Sequence, residues 1–276
     1  MRDGQPSSTA RGAAAYRAIH QRYEGAAIFR DPFALQILDE ATRATLDEVV
    51  ADPSRRGMRL FIVSRSRFSE DALAASVARG TRQVVVLGAG LDTLALRNPW
   101  PDVRVFEVDF PATQAWKRER LSEAGLPVPD TLTFAPVDFE RESLGDGLAR
   151  AGFRNDRPAF FQWLGVTPYL TREAISSTLD FIAGIPNSAV AFDYTEPFEN
   201  QTPERRANLM ARAESAAARG EPWLSFFDPP ELAALLRAKG FADIEDVGFA
   251  DLVRRYAPAL GRGLQPGGGH VVRATR

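Results

Sequence analysis

The chain has 276 residues, 45% hydrophobic and 25% charged, with a formal net charge of −2 and no cysteine, as in a globular protein with a sizeable core. The lack of a basic excess argues against a nucleic-acid partner, and two distant histidines, His20 and His270, without cysteine argue against a metal site or disulfides. Since no apolar run is long enough for a membrane span or a secretory signal, we expect a cytoplasmic protein with no membrane partner.

Residues 1–80 predict a helical extension. The first eight residues are rich in Gly, Ser, Gln and Pro and predict a loose terminus. From about Thr9 to Ala78, apolar residues recur at the three- and four-residue spacing of helices. Asp31-Pro32 predicts the start of one helix, and Arg65 to Arg79 predicts another that ends at Gly80.

Residues 81–276 predict an α/β core. Short apolar strands alternate with helical patterns, which is typical of βαβ units and a largely parallel sheet. The predicted strands are Gln83–Leu87, Val103–Val108, Leu132–Pro136, Ala159–Leu164, Ala189–Tyr194, Phe241–Val247 and His270–Thr275. The predicted helices are Leu91–Arg97, Thr113–Ala124, Glu142–Ala151, Arg172–Ala183 and Pro230–Lys239. The twenty-residue gap before the last strand is long enough to carry a functional loop.

A charged, alanine-rich helix is predicted from Pro203 to Gly220, within an insertion at about residues 197–225. One interpretation is a solvated surface helix. The other is a lid over a substrate pocket, because insertions after a strand lie at the carboxyl edge of the sheet, where ligands bind.

The segment VVVLGAGLDTLALR, Val84 to Arg97, predicts a ligand-binding turn. Gly88-Ala89-Gly90 follows the first strand, and glycines there allow a sharp turn and close approach of a ligand to the backbone. The third glycine of a dinucleotide fingerprint is missing, since Leu94 or Ala95 stands near its place. The pattern therefore favours a nucleoside with an amino-acid tail over a pyrophosphate.

Two acidic positions extend this site. Asp109 ends the second strand about twenty residues after the glycines, where an α/β nucleotide site places a carboxylate on the ribose hydroxyls. Asp138 beside Phe139, just past the third strand, could accept from an adenine amine while the ring packs on the base. Asp138 could equally cap the helix that follows it.

Together with FFQWLGVTPYLTREA (Phe160–Ala174) and FFDPPELAALLRAKGF (Phe226–Phe241), these motifs resemble the leucine carboxyl methyltransferase family. More narrowly, the chain resembles its bacterial branch, which depends on S-adenosylmethionine (SAM) and includes polyketide carboxyl O-methyltransferases. The resemblance spans about Tyr16 to Thr275. It implies a class I methyltransferase fold, with a Rossmann-like, mostly parallel sheet of seven strands, and SAM as cofactor.

The resemblance also implies residue roles. Arg65 matches the arginine that pairs with the methionine carboxylate of SAM, a task that suits a guanidinium, although Arg67 could share it. Gly88, Ala89 and Gly90 match the cofactor loop, Asp109 the ribose acid, and Asp138 with Phe139 the adenine contacts.

One position departs from the family pattern. Many relatives have glutamate where this chain has Leu164, and that glutamate contacts the cofactor. Gln162 is kept as a candidate cofactor contact, although we expect strand alternation to turn it away from the position of Leu164.

The predicted activity is SAM-dependent O-methylation of a carboxylate or hydroxyl on a small organic acceptor. Trp163, Tyr169 and Tyr194 are candidate walls of the acceptor pocket, closed by the N-terminal helices and the insertion. A carboxylate acceptor is ionised at neutral pH and needs no general base, and no catalytic residue is assigned. A catalytically silent protein of this fold that binds a nucleoside or serves as a partner protein stays an alternative because of Leu164. An NAD-dependent oxidoreductase is disfavoured by the missing glycine.

Overall fold

Seven strands form one sheet in the part of the chain that the computed structural model describes, residues 8–139, 141–265 and 268–276. They are β1 (Gln83–Leu87), β2 (Arg104–Asp109), β3 (Leu132–Pro136), β4 (Ala159–Trp163), β5 (Ala189–Thr195), β6 (Asp243–Gly248) and β7 (Gly269–Thr275). The spatial order is β3-β2-β1-β4-β5-β7-β6. β1 to β5 pair in parallel, and β7 runs antiparallel to β5 and β6. The predicted seven-stranded, mostly parallel sheet is confirmed.

Helices precede the sheet and cover both of its faces. They are α1 (Ser8–Tyr23), α2 (Glu40–Ala44), α3 (Leu46–Ala51), α4 (Arg56–Ala78), α5 (Leu94–Arg97), α6 (Pro111–Glu123), α7 (Leu144–Arg150), α8 (Arg172–Ala183), α9 (Pro203–Ala218), α10 (Pro229–Ala238) and α11 (Phe249–Tyr256). Short 3-10 helices lie at Pro53–Arg55, Thr167–Tyr169 and Phe198–Asn200. The loose terminus predicted at the start of the chain falls mainly on residues 1–7, which lie outside the described residues.

The central strands are buried on both faces. Every residue of β1, β4 and β5 is buried, as expected for parallel strands between two helical layers. One core, containing Phe161, Trp163 and Phe192, lies between the sheet and the layer of α7, α8 and α10. On the opposite face, α4 packs against β4, β5 and β7. α4 in turn contacts α1, which brings the N-terminal helix to the carboxyl edge of the sheet.

One predicted feature is wrong. Asp31-Pro32 starts turns rather than a helix, because Asp31 is fully buried and bound to Arg17, whose Nε lies 2.8 Å from its Oδ2. The gap before β7 also contains a helix that was not predicted, because α11 fills its first part and packs on α4. Its buried Phe249 and Leu252 join a core with Phe61 of α4.

The strand order changes direction beside β1. The chain runs outward from β1 to β3 and then crosses to β4 on the other side of β1. A crevice opens at the carboxyl ends of strands at such a switch point. The glycine turn after β1 and the loop after β4 therefore face each other there.

Candidate cofactor and acceptor site

A cavity of about 570 Å³ lies at the carboxyl edge of β1 and β4. The turn after β1 and the loop after β4 form its floor. Residues of α1 and α4, together with the segment after α9, form its walls. A volume of this size lies within the usual range of small-molecule sites.

The glycine turn fits a close ligand. Gly88 and Gly90 have φ of +64° and +47°, in the left-handed region that favours glycine. A Cβ on Gly88 would collide with Val166, and one on Gly90 would lie 2.8 Å from the Cβ of Ala10 in α1. The turn, including Ala89, lines the cavity, so α1 packs directly on the predicted cofactor loop.

Asp109 faces the cavity from the end of β2. Its Oδ2 accepts from the Gly90 amide at 2.6 Å and its Oδ1 from the Phe110 amide at 2.7 Å. Burial raises the pKa of this carboxyl, while the two amides oppose the shift. The other acid of the strand, Glu107, is buried, and its Oε2 lies 2.6 Å from Lys117 Nζ. Asp109 is thus the acid of β2 that a ligand can reach.

Arg65 also lines the cavity, on α4. Its Nη1 donates to Asp193 Oδ2 at 2.6 Å, and its buried Nε has no hydrogen-bond partner among the described residues. The other oxygen of Asp193 accepts from the Gly165 amide at 2.6 Å. Arg67 instead pairs with Asp71 at the surface and is not in the wall.

Asp193 is a residue that sequence reasoning missed. It is buried within β5, whose sequence AVAFDYT is otherwise largely apolar. A buried carboxylate needs a charged or hydrogen-bonding partner. An acid in an otherwise apolar strand therefore indicates a buried polar contact, and this signal was available in the sequence. Its two bonds fix Arg65 and the loop after β4 in one arrangement.

Arg17 is a second residue that sequence reasoning missed, and its guanidinium lies in the cavity wall. Its Nη2 donates to the Leu91 carbonyl at 2.7 Å, and its Nε pairs with Asp31. Asp31 Oδ1 in turn lies 3.6 Å from Arg97 Nε, and Arg97 Nη2 lies 2.6 Å from Glu70 Oε1. The helical spacing of α1 gives no hint of this buried network.

Gln162 lines the cavity together with Leu164, so the expectation that it faces away from Leu164 was wrong. Residues two apart on a strand share a face. Its Nε2 donates to Asp92 Oδ2 at 3.1 Å, and its Oε1 accepts from Ser69 Oγ at 2.9 Å. Gln162 therefore joins α4 to the glycine turn.

The structure does not bring Asp138 and Phe139 into the cavity wall. They follow β3, two strands from β1, where Phe139 is 60% exposed and Asp138 lies 3.4 Å from Arg141. Their assignment to adenine stays a prediction.

Of the three aromatic residues predicted to form the pocket, Tyr169 lines the cavity. The prediction for Trp163 is wrong, because its side chain lies on the face of the sheet opposite to that of Gln162. It packs on Phe192 there, with the ring centroids 5.8 Å apart. The prediction for Tyr194 is also wrong, because the ring lies in the same core as Trp163 and its buried hydroxyl donates to Asp246 at 2.5 Å.

Neither histidine faces the cavity. His20 is fully buried, with Nδ1 2.6 Å from Glu24 and Nε2 accepting from the Ile28 amide at 3.0 Å. His270 lies between Asp246 and Glu196. Across residues 8–139, 141–265 and 268–276, no cluster of three or more potential metal ligands occurs. No helix in the same ranges has the length and apolarity to cross a bilayer.

Comparisons with known proteins identify the family. Residues 10–183 match the model of the leucine carboxyl methyltransferase family. The chain is 32% identical to YktD of Bacillus subtilis (strain 168), provisionally named an S-adenosyl-L-methionine-dependent methyltransferase, over 91% of each chain. It is 30% identical to a Mycobacterium avium (strain 104) protein with the same provisional name, over 94% of this chain and 90% of that protein.

Solved structures support the fold. A provisionally named methyltransferase from Thermobifida fusca YX aligns with a TM-score of 0.60 and 17% identity over 100% of this chain and 96% of its own. Magnesium protoporphyrin IX methyltransferase from Synechocystis PCC 6803, solved with bound SAH, aligns with a TM-score of 0.52 and 12% identity over 98% of this chain and 94% of its own. The chain therefore belongs to the leucine carboxyl methyltransferase family and is a SAM-dependent methyltransferase with the class I fold.

Proposed function

We propose that this protein transfers the methyl group of SAM to an oxygen, a carboxylate or a hydroxyl, of a small organic acceptor. The observation that carries this proposal is the extent of the cavity. Beyond the glycine turn it continues to Tyr169, Leu170 and Leu224, which leaves room for a second small molecule beside the cofactor. Its size supports a small acceptor better than a nucleic acid or a membrane surface.

The residues in the wall suit the two ends of SAM. We assign Asp109 to the ribose hydroxyls and the guanidinia of Arg65 and Arg17 to the methionine carboxylate, which a guanidinium can bind with two parallel hydrogen bonds. The Arg65 Nε, which has no hydrogen-bond partner in the described part of the chain, and the close-packed glycine turn fit this assignment. Gln162 positions the turn through Asp92.

Bound SAM supplies an electrophilic methyl group on a sulfonium. The protein's part is to place the acceptor oxygen in line with that methyl group and to exclude water, and placement alone can supply much of the rate. α1 closes the cavity above Gly90, and the segment after α9 closes it beside Tyr169. Both elements lie outside the sheet, which supports the role predicted for the extension and the insertion.

The test is to incubate the protein with methyl-labelled SAM and a panel of aromatic and polyketide acids, phenols and amines. We expect label in a methyl ester or methyl ether, identified by mass spectrometry, and less of it with the Asp109→Ala variant when SAM is below saturation. Label on nitrogen only would overturn the proposal. No transfer to any acceptor, with SAM still bound, would favour the silent alternative.

A further inference from the structure

Asp92 is an acid of the cavity wall, two residues after Gly90. Its amide donates to the Ala89 carbonyl at 2.7 Å, and Lys117 Nζ donates to its carbonyl oxygen at 2.6 Å. These two bonds fix the backbone of Asp92 at the end of the glycine turn. The position of its carboxylate is therefore set by the same turn that forms the predicted cofactor loop.

The Asp92 carboxylate is turned toward β4. Its Oδ1 accepts from the Leu94 amide at 2.7 Å, and its Oδ2 accepts from Gln162 Nε2 of β4 at 3.1 Å. Asp109 lies on the other side of the turn, where its Oδ2 accepts from the Gly90 amide. The two acids thus flank the glycine turn, Asp109 on the side of β2 and Asp92 on the side of β4.

The charge of Asp92 is not balanced by a neighbouring cation. Both of its hydrogen-bond donors are neutral, and no cationic side chain in the described part of the chain forms a salt bridge with it. Arg97 acts on it electrostatically, but Arg97 is bound to Glu70 and lies 3.6 Å from Asp31, the partner of Arg17. Two guanidinia in this group therefore face three carboxylates. A carboxylate withdrawn from water in this way favours a cationic ligand group that donates hydrogen bonds to it.

Both guanidinia of the cavity wall lie close to Asp92 along the chain or through its partners. Arg17 Nη2 donates at 2.7 Å to the carbonyl of the residue before Asp92. Arg65 lies one helical turn before Ser69 on α4, and Ser69 donates to Gln162, which in turn donates to Asp92. An α-amino acid carries its ammonium and its carboxylate on one carbon, so its site needs a carboxylate and a guanidinium side by side. Asp92 with Arg17 and Arg65 meets this need.

We propose that Asp92 binds the ammonium group of the methionine part of SAM. This inference rests on the assignment of Asp109 to the ribose and of the two guanidinia to the methionine carboxylate, and it is independent of the choice of acceptor. Asp92 accepts from the ammonium while the guanidinia hold the carboxylate beside it, and Gln162 keeps Asp92 in place from β4. Holding both charged groups fixes the orientation of the methionine chain, and with it the sulfonium that carries the methyl group.

The experiment compares three ligands by isothermal titration calorimetry. They are SAM, S-adenosylhomocysteine (SAH) and an SAH analogue that lacks the α-amino group. The wild type should bind the analogue about 10- to 100-fold more weakly than SAH, because the analogue leaves the Asp92 carboxylate without its cation. Asp92→Asn should weaken SAM and SAH by a similar factor and bind SAH and the analogue alike. The side chain keeps its size in this variant, and the Gln162 amide can turn over to accept from it.

Three further variants serve as controls. Asp109→Asn should weaken all three ligands by the same factor, since each contains the ribose. Glu221→Gln, which changes the third acid of the wall, should keep the wild-type difference between SAH and the analogue. Asp102→Asn, at an exposed pair with Arg82, should bind every ligand as the wild type does. The thermal midpoint without ligand is measured for each variant to show that it is folded.

The other outcomes would overturn the proposal. If the wild type bound SAH and the analogue equally, no acid of the wall would hold the ammonium. Weakening of SAM alone in Asp92→Asn would assign the carboxylate to the sulfonium, and an equal loss for SAH and the analogue would make Asp92 a residue that only shapes the turn. If the difference disappeared in Glu221→Gln instead, the ammonium would lie at Glu221. No titration contains an acceptor, so each of these results leaves oxygen methylation to be decided by the label-transfer experiment.

Discussion

The two ends of the cavity are built differently. At the cofactor end, the acids Asp109 and Asp193 lie on strands of the sheet, and backbone amides or a guanidinium hold their oxygens. At the end proposed for the acceptor, Thr9 and Glu221 lie on segments outside the sheet, and the Thr9 hydroxyl donates to the Glu221 carboxylate. Strand-borne groups with several fixed partners keep their geometry, whereas a wall formed by side chains of separate segments can be rebuilt with few changes.

This difference predicts how substitutions at each end affect stability and activity. The cofactor end serves one ligand, and its parts belong to the sheet that every member of the fold must form. The acceptor end depends on α1 and the segment after α9, where substitutions leave the sheet intact. Substitutions at the cofactor end should therefore cost stability as well as binding, and those at the acceptor end mainly activity.

The largest effect is expected for Asp193→Ala. The change leaves the buried Arg65 guanidinium and the Gly165 amide without their acceptor, and breaking a buried ion pair costs about 3–5 kcal/mol. Urea unfolding should show this loss in the free energy of unfolding. The matched control is Asp156→Ala, which breaks an exposed pair with Arg154 and should cost about 1 kcal/mol or less. Equal losses would mean that the cofactor end is not specially fixed.

Gly90→Ala should come next. The residue needs a positive φ, which costs an L-residue about 1–2 kcal/mol, and its Cβ would press on Ala10, for which overpacking adds about 1–3 kcal/mol. Gly125→Ala is the control, since Gly125 has φ of +64° and open space around a Cβ. Gly90→Ala should lose more stability than this control and also bind SAM more weakly. If the two variants lost the same stability, α1 would not be packed on the turn.

Asp109→Ala should weaken SAM binding by about 1–3 kcal/mol, the usual cost of removing a charged hydrogen-bond partner. Isothermal titration calorimetry measures this affinity directly. Asp102→Ala, at an exposed pair with Arg82, should leave it unchanged. Wild-type affinity in the Asp109 variant would place the ribose elsewhere.

The smallest effect lies outside the cavity, at His270. Burial opposes its charged form, but hydrogen bonds and charges from Asp246 and Glu196 outweigh burial and raise its pKa above the ordinary 6.5. The folded protein therefore binds a proton more tightly than the unfolded chain. This contribution to stability is complete below about pH 6.5 and is lost as the pH rises through the folded pKa.

Urea unfolding at several pH values checks this expectation. The free energy of unfolding of the wild type should fall as the pH rises above 6.5, and His270→Gln should show a flatter profile. SAM affinity should be the same in both proteins at pH 7. Parallel profiles for the two proteins would contradict the role given to His270.

The sheet was predictable because its signal is local. Short apolar runs such as Gln83–Leu87 and Ala189–Thr195 mark buried strands, and the glycines and Asp109 stand at fixed positions beside them. The place of Arg17 in the cavity wall was not predictable, because it depends on Asp31, which the fold brings to it. Trp163 was misplaced since the sequence does not show which face of a strand meets the cavity.

The position of β7 has a consequence for how the molecule is assembled. Gly269–Thr275 lies between β5 and β6 and pairs with both along most of its length. During synthesis, β5 and β6 therefore lack their shared partner until residues 269–275 have been made. Until then β5 has an open edge, which is a site for unwanted pairing with other chains. The contacts that α4 and α11 make with β7 form only after this strand has been added.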